Sequence, residues 1–210
     1  VTLFNNFATY IGSNPFVAPA TLNVIQHLEL SLGLYMPKKG IYNIIQALVK
    51  LAEEVGVQFH YNTFVEEITT KNGAVNGIKI KNTPLPYSVV ASNMDVYFTY
   101  EKLLPHAVKP KRILNQPKSN SIIAFYWGIN KEFPEMDIHN MLFTADQKEE
   151  FNSIFNKKTI HNDPSIYICI TSKHHPQDAP KGKENWFVLL SVPNNQGQDW
   201  DELVRTARAN

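Results

Sequence analysis

Ile41-Tyr42-Asn43-Ile44-Ile45-Gln46-Ala47-Leu48-Val49-Lys50-Leu51-Ala52-Glu53-Glu54-Val55-Gly56-Val57-Gln58-Phe59-His60-Tyr61 decides how the chain is built. Ile41, Ile44, Ile45, Leu48, Leu51, Ala52 and Val55 recur at helical spacing, with Lys50, Glu53 and Glu54 off that stripe. The run is therefore an amphipathic helix. Gly56 is a natural stop, because glycine enters the left-handed conformation that follows a last helical turn. Val57, Phe59 and Tyr61 then alternate with Gln58 and His60, the period of a strand. His60 accordingly reads as a half-exposed strand residue and not as a metal ligand.

Working outward, Val65–Lys71 and Ala74–Lys81 flank Asn72-Gly73. Asn-Gly between two strand-like runs signals a tight hairpin, whose two central residues need positive φ. Pro84-Leu85-Pro86 is expected to end it. Ser88-Val89-Val90-Ala91-Ser92-Asn93 is short and apolar and ends in small polar residues. It fits a buried parallel strand whose carboxyl end opens onto a ligand crevice. Helix, stop, strand, hairpin and strand over Leu34–Asp95 is the order expected where a nucleotide-binding α/β domain receives the chain back from a second domain.

On the upstream side, Leu3, Phe4, Phe7, Ala8 and Ile11 repeat at helical spacing until Gly12-Ser13-Asn14-Pro15 breaks the run. Thr21 is placed to cap a second helix through Leu22, Ile25, Leu28, Leu30 and Leu32. Tyr10, Phe16 and Tyr35 are core or cavity-wall aromatics. Downstream, Ser121–Ile129, Ile166–Thr171 and Trp186–Val192 read as strands, with a short strand over Met141-Leu142-Phe143-Thr144. Helices are expected over Asp146–Phe155 and Asp199–Ala209. The pattern gives an α/β (α+β) chain whose second part is a sheet domain with its own core.

Composition narrows the function classes. The chain has 210 residues, 43% hydrophobic and 19% charged, which suits a packed core. A net charge of +1 leaves no basic excess for a nucleic-acid partner. Lys109-Pro110-Lys111-Arg112 reads as a solvated turn. One cysteine, Cys169, forbids an intrachain disulfide and favours a reducing compartment. In its apolar run it reads as a buried, inert thiol. No apolar run reaches the length of about 18 that spans a bilayer. The first residue, Val1, and the helical run into Asn210 both read as cuts through longer sequence. Gly-x-Gly-x-x-Gly, the phosphate-binding Gly-x-x-x-x-Gly-Lys loop and His-Glu-x-x-His are not in the sequence. His174-His175 would point to opposite faces of a strand, so no metal site is expected. Carboxylate pairs such as Glu66-Glu67 read as solvated faces, and no catalytic residue is assigned.

Pro37-Lys38-Lys39-Gly40, Leu51-Ala52-Glu53-Glu54-Val55-Gly56-Val57, Val65-Glu66-Glu67-Ile68, Asn72-Gly73-Ala74-Val75-Asn76-Gly77-Ile78 and Val89-Val90-Ala91-Ser92-Asn93-Met94-Asp95 together resemble the bacterial phytoene desaturase family of carotenoid-processing flavoproteins. Ala8–Phe16 and Ala18–Leu22 resemble the segment just upstream in that family, and Asp163–Tyr167 and Asp178–Gly182 resemble its downstream sheet region. The resemblance implies an FAD-dependent oxidoreductase that desaturates carotenoid precursors by hydride transfer to flavin. It implies a Rossmann-like FAD domain, here its middle segment 35–104, and a mixed-sheet substrate-binding domain over 1–34 and 105–210. Val65 is implied as a cofactor-binding residue, through backbone groups offered to the adenine of FAD. An apolar polyene is the implied substrate. Tyr126, Trp127, Phe143, Tyr167 and Trp186 are candidates to line its tunnel, with sheet core as the other reading. The full protein is expected in the cytoplasm with peripheral membrane contact, because such substrates dissolve in membranes. Lys39 stands where many relatives carry a second glycine. The segments that meet the pyrophosphate and the flavin are absent, so this chain by itself is expected not to retain FAD. The competing readings are another flavin amine-oxidase-superfamily oxidoreductase and a non-enzymatic lipid-binding module.

Overall fold

The computed structural model describes residues 2–209; Val1 and Asn210, on which the two expected cut ends fall, lie outside the described residues. In chain order the elements are α1 (Thr2–Asn5), α2 (Asn23–His27), α3 (Tyr42–Glu54), β1 (Glu67–Lys71), β2 (Ala74–Ile80), β3 (Thr83–Pro86), α4 (Val96–Phe98), α5 (Lys111–Leu114), β4 (Ser121–Ile129), β5 (His139–Leu142), α6 (Gln147–Asn152), β6 (Ile166–Cys169), β7 (Glu184–Val192) and α7 (Trp200–Ala209). Two compact units result, 48–117 and the pair 1–47 with 118–210. The α+β class read from the sequence is the class observed. Every ladder among the described residues is antiparallel, so the sheet expected to be mixed is antiparallel across its described strands.

In the unit 48–117, α3 ends as its sequence dictates. Gly56 takes φ 91°, its N–H donates to Glu53 O at 3.0 Å, and Val57 N–H donates to Ala52 O at 2.9 Å. Those two bonds are the Schellman pair that satisfies the last carbonyls. The apolar stripe of α3 is exposed in this chain, Leu48 and Leu51 included.

The Asn72-Gly73 hairpin forms, with φ 53° and 79° at the two turn residues. Three sequence expectations fail nearby. Pro84-Leu85-Pro86 does not end the hairpin but forms β3, paired with β2 after a second tight turn at Lys81 and Asn82, φ 49° and 62°. Proline is tolerated there because β3 is an edge strand with one neighbour. Val57–Tyr61 and Ser88–Asn93 are not strands. Alternating side chains give a segment two faces, but a strand also needs a neighbour for its N–H and C=O groups, and no described strand pairs with either. Val89 is 81% exposed. Ile68, Thr99 and Leu103 form the buried centre of this unit. Thr99 Oγ1 lies 2.9 Å from Ser92 Oγ and donates to Met94 O at 3.1 Å.

In the unit of 1–47 and 118–210, Gly12 at φ 62° closes a 3₁₀ turn over Asn6–Ile11. Thr21 does not cap the second helix. The first turn closes two residues earlier, on Pro19 O, which accepts Leu22 N–H at 3.1 Å and leaves Thr21 inside the turn. Tyr10, Phe16 and Tyr35 are exposed, Tyr35 at 89%, so none is core.

β4, β7, β6 and β5 form one sheet in that order. Ile123, Ile168, Ile170, Val188, Leu190 and Val192 bury on one face, and Ala207, Leu203 and Trp200 of α7 pack into the same cluster. Truncating one such buried aliphatic side chain to Ala costs about 2–5 kcal/mol. Two local caps fix the flanking helices: Asp146 Oδ1 accepts Glu149 N–H and Asp199 Oδ1 accepts Glu202 N–H, both at 3.0 Å. Buried Glu150 accepts from both Ser165 N–H and Ser165 Oγ at 2.7 Å, tying α6 to the start of β6.

Candidate functional site

The strand register determines what the other face of this sheet carries. Directly opposed residues share a face. Tyr126 opposes Phe187, Phe187 opposes Cys169, and Cys169 opposes His139, one row across four strands. Ala124, Leu189, Tyr167 and Met141 make the next row. None of these eight residues belongs to the buried cluster or to the apolar side chains packed against it. The face is therefore mostly apolar and aromatic, and Tyr126 is 81% exposed on it. Tyr126 and Phe187 set their rings 5.0 Å apart, tilted by 42°. A groove of about 540 Å³ runs here, with Tyr126, Gly128, Cys169, Asn185 and Phe187 among its walls. Its volume falls in the range of small-molecule sites.

A few polar groups interrupt the face. Tyr167 Oη lies 2.8 Å from His139 Nδ1. Burial, then the neighbouring Cys169 and Tyr10, push the Tyr167 hydroxyl above the ordinary tyrosine value. Tyr10 donates to Glu29 Oε1 at 2.7 Å; that bond, burial and the Glu29 charge push its hydroxyl up to about 12. Both phenols thus remain protonated near neutral pH.

On the core side, Lys173 Nζ sits 2.7 Å from Glu184 Oε1, and Glu184 is 3% exposed. Phe133 N–H donates to Glu184 Oε1 at 2.9 Å and Trp186 Nε1 to Glu184 Oε2 at 2.8 Å. Burial pushes the Glu184 carboxyl up. The bonds from Lys173, Phe133 and Trp186, with the Lys173 charge, outweigh it and hold the carboxyl below the ordinary range.

No family model matches the chain. The chain is 46% identical over 208 residues to the 1-hydroxycarotenoid 3,4-desaturase of a Flavobacterium species, covering 99% of this chain and 43% of that protein. It is 33% identical to the phytoene desaturase of Fusarium fujikuroi over 98% of this chain and 40% of that protein. With the zeta-carotene-forming phytoene desaturase of Myxococcus xanthus it shares 36% over 91% of this chain and 37% of that protein. The chain belongs to the carotenoid desaturase family.

It spans well under half the length of these curated relatives. An oxidoreductase from Methanosarcina mazei has the same fold, with a TM-score of 0.68 at 13% identity over 99% of this chain and 47% of that one. Of the aromatics that the sequence offers as tunnel candidates, Tyr126 and Tyr167 lie on the open face. Trp127 and Trp186 oppose one another on the core-side parity and also line the groove, and Trp186 packs against the core. Phe143 follows β5 and is not a groove wall. Cys169 is half-buried on the open face, not fully buried in the core, because β6 alternates and its odd positions face outward. His174 and His175 lie in a turn after Thr171–Lys173 and not on a strand; His175 is buried and His174 faces Asp137 at 3.5 Å. Among the described residues no three His, Cys, Asp or Glu side chains converge as a metal set. Phe187, Leu189, Met141 and His139 were not singled out by sequence. The alternation Asn185, Phe187, Leu189, Ser191 is the one signal that could have drawn attention to β7.

Val65 precedes β1 and is half-buried. It lies outside the β1–β2 register, which begins at Glu67, while the adjacent Glu66 N–H donates to Lys79 O at 2.8 Å.

Proposed function

We propose that the protein carrying this chain is an FAD-dependent oxidoreductase that desaturates carotenoid precursors, and that the open face of the four-stranded sheet forms a wall of its polyene site. The observation that carries this reading is the pairing of a 46% identical carotenoid desaturase with an uncovered aromatic face on the same chain. A polyene offers few polar handles, so a long apolar wall is what can hold it. Tyr126, Phe187, Leu189 and Met141 would orient the chain by shape and exclude water from it. The Flavobacterium relative is named for a hydroxylated carotenoid and the Fusarium and Myxococcus relatives for phytoene; either substrate fits the reading at this level.

Flavin, when bound, supplies the acceptor for the hydride released as a carbon–carbon single bond becomes double. The residues present fit one end of such a cofactor. Val65 lies beside a ladder that does not use its backbone, which supports a role for its N–H and C=O against the adenine. The glycine-rich loop that would meet the pyrophosphate is not in this sequence. Residues 35–104 are read as the middle of the FAD domain, and 1–34 with 105–210 as substrate-binding parts. A cytoplasmic protein touching the membrane peripherally suits a membrane-dissolved substrate. No helix among the described residues is long and apolar enough to cross a membrane.

The test is product analysis. The intact gene, expressed in a host that accumulates phytoene or a hydroxylated acyclic carotenoid, should yield pigment with a longer conjugated chromophore. A folded, flavin-loaded protein that leaves the absorption spectra of both substrates unchanged would overturn the reading.

A further inference from the structure

The unpaired N–H and C=O groups along a sheet edge are a template for another strand. A protein that keeps such an edge in water blunts it with charge, proline, a bulge or shortness. Of the four edges that the described strands leave, three are blunted. β3 carries Pro84 and Pro86. β1 carries Glu67 and Lys71, and its ladder shifts register between Thr69 and Thr70. β5 is four residues long, and two of the four are His139 and Asn140. β4, at the other end of the four-stranded sheet, has none of these devices. Ser121–Ile129 is nine residues long, has no charged residue and no proline, and keeps an unbroken register with β7 from end to end. Ile122 is 58% exposed on one face of this strand, and Trp127 is exposed on the other. Gly128 adds an observation of a different kind. A Cβ built there would meet nothing within 4 Å, so nothing among the described residues requires a glycine. A glycine inside a strand suits a place where another backbone comes close.

We propose that β4 is an interior strand in the intact protein, where a further strand of the same polypeptide, apolar on both faces, pairs along its outer side. A second copy of the chain could offer the same backbone groups, but chain length favours the same polypeptide. This chain spans 43%, 40% and 37% of the three desaturases it matches, and 47% of the Methanosarcina oxidoreductase whose fold it shares. In each of them more than half of the polypeptide is left to supply a strand. The added strand is apolar on both parities because cross-strand neighbours share a face, and it has Ile122 to meet on one side and Trp127 on the other. Its residue opposite Tyr126 continues the row of Tyr126, Phe187, Cys169 and His139. The open face is then one strand wider, and the wall of the polyene site is completed from outside these 210 residues. That last consequence rests on the polyene reading of the face. The added strand does not, and it stands even if no carotenoid is turned over.

In an antiparallel ladder alternate residues turn N–H and C=O towards the partner, and those between turn theirs away. At an open edge, either Ile122, Ala124, Tyr126 and Gly128 or Ile123, Phe125, Trp127 and Ile129 would leave their amides to water. Residue-resolved hydrogen exchange on the intact wild-type protein, at high and low concentration and with its mass measured alongside, separates the cases without any carotenoid. Both sets should exchange at least about a hundredfold more slowly than the amide of Glu132 in the loop beyond β4, at both concentrations. A fast–slow alternation along β4 would overturn the proposal. So would uniform protection that disappears as a dimer dilutes to monomers, because the second copy would then be the partner. A photoreactive benzophenone side chain at position 128, where an added group has room, identifies the neighbour. Irradiation should join β4 to a peptide outside these 210 residues without doubling the mass. A doubled mass, or cross-links confined to residues 1–210, would overturn the proposal, and the wild-type exchange pattern decides alone if the variant folds poorly.

Discussion

Tyr126 and Phe187 stand directly opposite one another on the β4–β7 ladder, rings 5.0 Å apart, on the face that bears none of the buried cluster. An aromatic pair in that position contributes little to folding, because Tyr126 is already in water. Its effect belongs to whatever lies against the sheet.

Tyr126→Ser should therefore separate stability from turnover. Urea unfolding should move by no more than about 0.5 kcal/mol, as for other exposed substitutions. Turnover of a carotenoid by the intact protein should drop about tenfold, the loss expected when one aromatic wall is removed from an apolar site. Paired measurements of unfolding midpoint and kcat/KM on the same preparation check this.

Glu184 makes the opposite case. Its carboxyl is held below the ordinary range in the fold, so the folded state favours the charged form. That contribution is fully present above the unfolded glutamate value of about 4.3 and is lost as pH falls through the lower folded value. Lys173→Met strands a buried carboxylate and should cost about 3–5 kcal/mol near pH 7. The deficit should shrink as pH drops below about 4.3 and Glu184 takes up a proton. Chemical denaturation at pH 7 and pH 3.5 reads both, and an equal deficit at the two values would contradict the assignment.

Gly77 is fixed by a close approach. A Cβ built there would lie 2.1 Å from Leu85 O, a backbone atom of the next strand. Thr69 opposes Gly77 and Thr70 opposes Val75, so Asn76 is the extra residue of a bulge at the same spot. Gly77→Ala must push β3 away and should cost about 1–3 kcal/mol. Amide exchange should show the loss first in Thr83–Pro86 and not in Glu67–Lys71.

How much of this was legible in the residues follows from where the information lies. α3 with its Gly56 stop and the Asn72-Gly73 turn were legible because each rests on contacts within a few residues. β3 was not, because Lys81 and Asn82 enter positive φ without a glycine to announce it. Val57–Tyr61 and Ser88–Asn93 have the side chains of strands, but pairing depends on a neighbour that their own residues do not specify. The open face was hidden for another reason. Ile122, Ile123, Ala124, Phe125, Tyr126 and Trp127 are apolar on both parities, so sequence alone cannot say which face meets the core. Register settles it, and register also brought in Phe187, Leu189 and His139. Cys169 sits in an apolar run that lacks a parity signal in the same way.

FAD binding should need more than these 210 residues. Val65 can offer backbone groups, but a pyrophosphate needs clustered N–H donors at a helix start, and the sequence has no Gly-x-Gly-x-x-Gly. Isothermal titration of FAD into this chain should give no micromolar binding. A measured micromolar dissociation constant would contradict the division of labour proposed for residues 35–104.

The most direct measurement places a photoreactive benzophenone side chain at position 126 of the intact protein, with a control at exposed Glu132 in the loop beyond β4. Irradiation with a carotenoid should attach pigment to the peptide holding position 126 and not to the one holding position 132, with yield that saturates as carotenoid is added. Equal labelling at the two positions, or no labelling at position 126 in a protein that still turns over its substrate, would contradict the claim that the open face of this sheet is the wall of the polyene site.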